Sequence, residues 1–167
     1  MLNDELKSQL KQLLELMEGD VVLQASIGSD DKSKELETLL DEVASMSSHI
    51  SVENADLKRT PSFSVNRPNE QTGITFAGLP MGHEFNSLVL ALLQVSGRAP
   101  KEEQAVIDQI SALDRPLHFE TYISLTCQKC PDVVQALNLM SLLNPNITHT
   151  MIDGAIFREE AENIMAV

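Results

Sequence analysis

Cys127 and Cys130 are the only two thiols of this 167-residue chain, and they stand two residues apart in the stretch SLTCQKCPDVVQALNLM, Ser124 to Met140. A thiolate serves either as a nucleophile or as a metal ligand. The spacing therefore admits a redox dithiol at the start of a helix, or half of a four-thiolate metal site. The metal reading needs two further soft ligands. The chain has no second CxxC, and His49, His83, His118 and His149 form no H-x₃₋₅-H pair. A third reading treats the pair as small inert core residues. The redox reading is preferred because an apolar run precedes the pair, while a proline and a helical pattern follow it.

A free thiol, with a pKa of about 8.5, is mostly protonated near neutrality. At a helix N-terminus, unpaired backbone N–H groups and the macrodipole stabilise its anion. Pro131 suits the first helical turn, where its missing N–H costs nothing. The expected arrangement is an exposed attacking Cys127 and a less exposed resolving Cys130 one turn on. In the stretch MGHEFNSL, Glu84 opens an apolar helix. Its plain role is electrostatic, at a helix start; its sharper role is proton acceptor for the dithiol across an interface. Asp153 reads as a turn residue and His149 as a histidine satisfied within its strand.

These residues need elements to position them. Residues 2–18 carry Leu2, Leu6, Leu10, Leu13, Leu14 and Met17 on one helical face, capped by Asn3 or Asp4. Residues 20–28 read as a buried strand, 29–48 as a helix capped by Ser29 or Asp30, and 49–54 as a strand. Two strands near 61–66 and 73–78 form a hairpin, closed by an apolar helix over 82–97. Residues 101–115 give another helix, with Val106, Ile107, Ile110 and Leu113 inward. Then come a strand over 116–126, the CxxC helix to Leu143, a strand over 146–154 and a last helix from Ile156. The order of elements thus starts again: Ser29 falls opposite Cys127, an offset of 127 − 29 = 98 residues.

The expected fold is α/β, two similar three-layer α/β/α units spanning 1–98 and 99–167. SDDK stands in the first where CQKC stands in the second, so only the second has thiol chemistry. The second copy stops at Val167 before any hairpin or closing helix, which reads as a fold cut short.

Composition limits what this architecture serves. The chain is 43% hydrophobic and 22% charged, enough apolar material for a core without disulfide staples. Twelve basic against 25 acidic residues, a net charge of −13, argue against nucleic-acid binding and an anionic membrane surface. No apolar run approaches the roughly 20 residues of a membrane span. With an acidic, polar start and two close cysteines, the expectation is a cytoplasmic protein.

The stretches FAGLPMGHEFNSLVLALL and FETYISLTCQKCPDVVQALNLMSLLNPNITHTMIDG resemble the N-terminal domain of the F subunit of bacterial alkyl hydroperoxide reductase, and the resemblance covers essentially the whole chain. It implies two fused thioredoxin-like folds with one dithiol in the second. It also implies electrons arriving from a flavin-dependent reductase portion of the same polypeptide, which binds FAD and NADH, and leaving to the disulfide of a two-cysteine peroxiredoxin. By this resemblance Cys127 is the attacking thiol, Cys130 the resolving one, and Glu84 the acidic residue that the first fold places near them. No metal or cofactor is expected on this chain, and a homodimer is compatible with it. The alternative is a non-enzymatic docking module in which the thiols are incidental.

Overall fold

The computed structural model describes residues 2–165. Its first helix, α1 (Asp4–Leu14), is started by Asn3, whose side-chain oxygen accepts the Leu6 N–H at 2.8 Å. Strand β1 (Val21–Ser26) leads into α2 (Asp31–Ser45). Asp30 caps α2 by accepting the Ser33 N–H at 3.1 Å and the Ser33 hydroxyl at 2.6 Å. Leu36, Leu39, Leu40 and Val43, spaced for one helical face, are all buried beneath α2. β2 (Ile50–Asn54) returns parallel to β1, and β3 (Ser62–Arg67) pairs antiparallel with β4 (Glu70–Ala77) across a turn where Asn69 has positive φ. A 3₁₀ turn, Gly82–Glu84, runs directly into α3 (Phe85–Val95).

The second series is α4 (Gln104–Ser111), β5 (Leu117–Ile123), α5 (Cys130–Leu143), β6 (Ile147–Asp153) and α6 (Arg158–Met165). β5 pairs parallel with β6 as β1 pairs with β2. The duplicated order is therefore real in the backbone. The helices start 130 − 31 = 99 residues apart and the second strands 147 − 50 = 97 apart, on either side of the expected 98. Residues 27–30 join β1 to α2, whereas residues 124–129 join β5 to α5, and the gain is returned by a helix and a following loop that are each one residue shorter. The thiol-bearing loop is two residues longer than its counterpart.

All six strands form one sheet, in the order β2-β1-β3-β4-β6-β5. Ile74 to Ala77 of β4 pair parallel with His149 to Ile152 of β6, so the two series are joined by a backbone ladder. Phe63 and Phe76 stack at 5.3 Å in the centre, both fully buried. Helices cover both faces. Thr121 of β5 points toward α5 through His149, while its neighbour Glu120 meets Arg59 and α6 on the other side.

Two expectations are corrected. The α4 pattern does not mark a core-facing helix: α4 buries no residue and Val106 is exposed, with Ile107 and Ile110 half-buried. This eight-residue helix packs against α5 at the margin. There, Asn144 supplies polar fastening by donating to the carbonyls of Ile110 and Leu113, both at 2.8 Å. Helix α1 is also shorter than its leucine pattern, ending at Leu14 and leaving Leu13 39% exposed. The last two expected positions of the final helix, 166 and 167, lie outside the described residues.

Candidate active site

Cys127 and Cys130 form a disulfide with Cα atoms 5.5 Å apart. Cys127 sits in the loop, its N–H donating to the Ser124 carbonyl at 3.0 Å. Cys130 is the first residue of α5, followed by Pro131 in the first turn as the sequence predicts. The Cys130 N–H donates to Cys127 Sγ at 3.2 Å. The sulfur thus occupies the place of a capping acceptor, where an anion released on reduction meets an unpaired backbone donor and the positive end of the helix. Both cysteines are half-buried, so the expected contrast in exposure is not seen. The asymmetry is one of packing, since Cys130 lies against the central core.

The 3₁₀ turn seats itself on this loop. The His83 N–H donates to the Leu125 carbonyl at 3.1 Å. Gly82, at φ +56°, brings its backbone so close that a Cβ there would stand 2.8 Å from the same carbonyl oxygen. Glu84, next in the turn, is wholly buried, and the turn contacts α5. Its Oε1 accepts the Ser87 hydroxyl at 2.7 Å, and Oε2 makes no hydrogen bond among the described residues. Burial pushes the Glu84 carboxyl above its ordinary value, against the Ser87 hydrogen bond and the nearby His83 charge. The Ser87 hydroxyl also accepts from Gln135 Nε2 of α5 at 3.2 Å. The sequence marks Glu84 as an acid at a helix start but does not mark Ser87 and Gln135 as its hydrogen-bonded neighbours. The Glu-x-x-Ser spacing at a helix start was the available signal for Ser87, whereas Gln135 meets it from 48 positions away.

Asp153 takes the turn role read for it: it is buried, and its Oδ1 accepts the Ala155 N–H at 2.9 Å. His149 is wholly buried and satisfied at both ring nitrogens, by Asn138 Oδ1 at 2.7 Å and Thr121 Oγ1 at 2.8 Å. Burial pulls its pKa down to about 4. Among the described residues, no group of three or more His, Cys, Asp or Glu side chains is placed to hold a metal. No helix there is long and apolar enough to cross a membrane. A groove of about 630 Å³ beside α6 and another of about 470 Å³ between α1, α3 and α5 include neither thiol. The disulfide is therefore presented at the surface of the fold and not at the bottom of either groove.

Comparison with known proteins agrees with this geometry. No family model matches the chain. It is 76% identical over all 167 residues to the alkyl hydroperoxide reductase F subunit of Staphylococcus epidermidis, and 74% identical to that of Staphylococcus aureus. It spans 33% of the length of each. Among solved structures, the NTD_N/C domain of alkylhydroperoxide reductase AhpF from Enterococcus faecalis is 30% identical, with a TM-score of 0.89 over 98% of this chain and 85% of that one. A protein disulfide oxidoreductase from Aeropyrum pernix shares the fold at 18% identity and a TM-score of 0.84, over 97% of this chain and 79% of that one. With its repeated strand–helix–strand series, its single dithiol in the second series and a near-complete match to a solved domain, the chain belongs to the family of N-terminal domains of the alkyl hydroperoxide reductase F subunit.

Proposed function

We propose that this chain is the thiol–disulfide exchange unit of a peroxiredoxin reductase. The observation that carries the reading is the Cys127–Cys130 disulfide, closed across the start of α5 at a half-buried surface position. In the reduced form, Cys127 thiolate attacks a sulfur of the partner's disulfide, joining the two proteins and releasing one partner thiolate. Cys130 then loses its proton and attacks Cys127 Sγ. That step closes the Cys127–Cys130 disulfide and releases the second partner thiolate. Glu84 is the group that takes up the Cys130 proton, and it returns that proton when the disulfide is reduced again.

The partner is a two-cysteine peroxiredoxin, and the incoming electrons come from a flavin-dependent portion of the longer polypeptide. FAD and NADH belong to that portion. A dinucleotide pyrophosphate is cradled by a glycine-rich strand-to-helix turn. Here the strand-to-helix turns at 27–30, 78–81 and 154–157 hold one glycine each and the turn at 124–129 none. The unit itself divides into a thiol-free fold over 1–98 and a thiol-bearing fold over 99–167, parting one residue beyond Gly97, where φ is +121°. Its place is the cytoplasm, and its net charge of −13 argues against nucleic acid and anionic membranes as partners.

Single-cysteine variants test the reading. Cys130→Ser should trap a covalent adduct with an oxidised two-cysteine peroxiredoxin, visible as a mass equal to the sum of the two chains less two hydrogens for each bond formed. Cys127→Ser should form none and should abolish disulfide reduction. No adduct from Cys130→Ser would leave the docking-module reading standing.

A further inference from the structure

The polar chain Gln135–Ser87–Glu84 has a fixed direction. A serine hydroxyl owns one proton and two lone pairs. Gln135 Nε2 donates to the Ser87 oxygen at 3.2 Å, so the single Ser87 proton is free to go to Glu84 Oε1, 2.7 Å away. Oε1 is thereby an acceptor, and in the neutral carboxyl the proton sits on the other oxygen. That oxygen, Oε2, is buried and has no hydrogen-bond partner among the described residues. A buried polar atom without a partner costs free energy, and a fold that keeps one calls for a reason such as a redox or catalytic role. Ser87 is itself 1% exposed, shielding the link from water. Gln135 lies on the helix that Cys130 opens, so the chain ties the carboxyl of the first unit to the dithiol helix of the second.

We propose that Ser87, held by Gln135, is a positioning residue: it fixes the Glu84 proton on Oε2, the oxygen left without a hydrogen-bond partner among the described residues, from which the proton passes to and from the dithiol. This deepens, and rests on, the role given to Glu84 above. When a donor thiolate attacks Cys127 Sγ, the S–S bond breaks and Cys130 leaves as a thiolate. The Oε2 proton passes to that sulfur, giving Cys130 thiol and Glu84 carboxylate. Ser87 then stabilises the carboxylate through Oε1, and without it the proton is held more tightly. The titratable groups on the elements packed around Glu84 are few. They are His83 on its own turn, Cys127 and Lys129 in the thiol loop, and Cys130 and Asp132 on α5, while α3 carries none.

The experiment is the pH profile of disulfide reduction by dithiothreitol on the 167-residue chain, corrected for the donor's own thiolate fraction. The wild type should show an inflection that Glu84→Gln removes. Ser87→Ala should move that inflection upward by about one pH unit. Ser87→Thr, which keeps the hydroxyl, should restore it, and Gln135→Leu should move it in the same direction by less. Carbon-13 NMR of the Glu84 carboxyl reads the same shift without activity and covers any variant that reduces poorly. If Glu84→Gln removes the inflection but Ser87→Ala and Gln135→Leu leave it in place, Ser87 is only a packing residue and the role of Glu84 stands. If Glu84→Gln leaves the profile unchanged, the role of Glu84 falls and the positioning argument falls with it.

Discussion

Arg59 and Glu160, 101 positions apart in the chain, are locked by a two-pronged ion pair: Arg59 Nε lies 3.1 and 3.0 Å from the two carboxylate oxygens, and Nη2 lies 2.6 Å from Oε1. The same Nη2 meets Glu120 of β5 at 2.6 Å, and the Arg59 side chain is only 8% exposed. A loop of the first series thus grips a strand and a helix of the second. The guanidinium holds the Glu160 carboxyl below its ordinary value through its hydrogen bonds. It does the same for Glu120, where burial pulls the other way. Removing it leaves two facing carboxylates. Arg59→Leu should cost about 2 kcal/mol, less than a fully buried pair because both carboxylates keep some solvent. Urea unfolding at pH 7 and pH 4 measures it. The loss should shrink at the lower pH, because depressed carboxyls contribute stability that disappears as they are protonated.

Gly82→Ala should strain the thiol loop. The residue adopts φ +56°, costly for any side chain, and the new Cβ would press on the Leu125 carbonyl at 2.8 Å. A loss of about 1–3 kcal/mol in thermal unfolding is expected, with slower reduction of Cys127–Cys130. Full stability and full rate would mean that the turn does not seat the loop.

Glu84→Gln should change the pH dependence of stability in a defined sense. Burial raises the Glu84 carboxyl. A raised carboxyl contributes fully below its unfolded value, and that contribution is lost as pH climbs through the folded value. Glutamine does not ionise. The variant should therefore gain on the wild type as pH rises from 4 to 8, read as a growing difference in urea midpoint.

His149 sets a limit on the acid side. Its pKa is lowered from 6.5 to about 4. A base depressed in this way contributes stability above 6.5 that is lost as pH falls towards 4, on the order of 3 kcal/mol. In His149→Gln the slope over that window should flatten. An unchanged slope would assign the acid sensitivity to other groups.

The parts legible in the sequence were those carried by local pattern. The α2 face, the caps Asn3 and Asp30, the CxxC–Pro helix start and the repeated order of elements each follow from neighbours in the chain. Glu84 was legible as an acid at a helix start, though nothing local said that it would be wholly buried. Val106 was misread because an amphipathic period states which face is apolar and not whether anything covers it. Arg59 lies between β2 and β3 in a stretch with no period at all, and its partners stand 61 and 101 positions away. The two-residue difference between the loops was averaged into a single offset, because similarity of order does not resolve where the added residues sit.

The β4–β6 ladder has a consequence for how the molecule breathes. Had each series closed its own sheet, either could open while the other stayed shut, and their amides would exchange with solvent on separate schedules. The ladder instead runs through the most deeply buried strands, where Ile74, Phe76, Met151 and Ile152 are almost inaccessible. Opening one series therefore exposes the interior of the other. The slowest-exchanging amides should fall on both sides of this seam and respond together to denaturant, so the thiol-free half acts as the ballast that keeps the thiol-bearing half from opening alone.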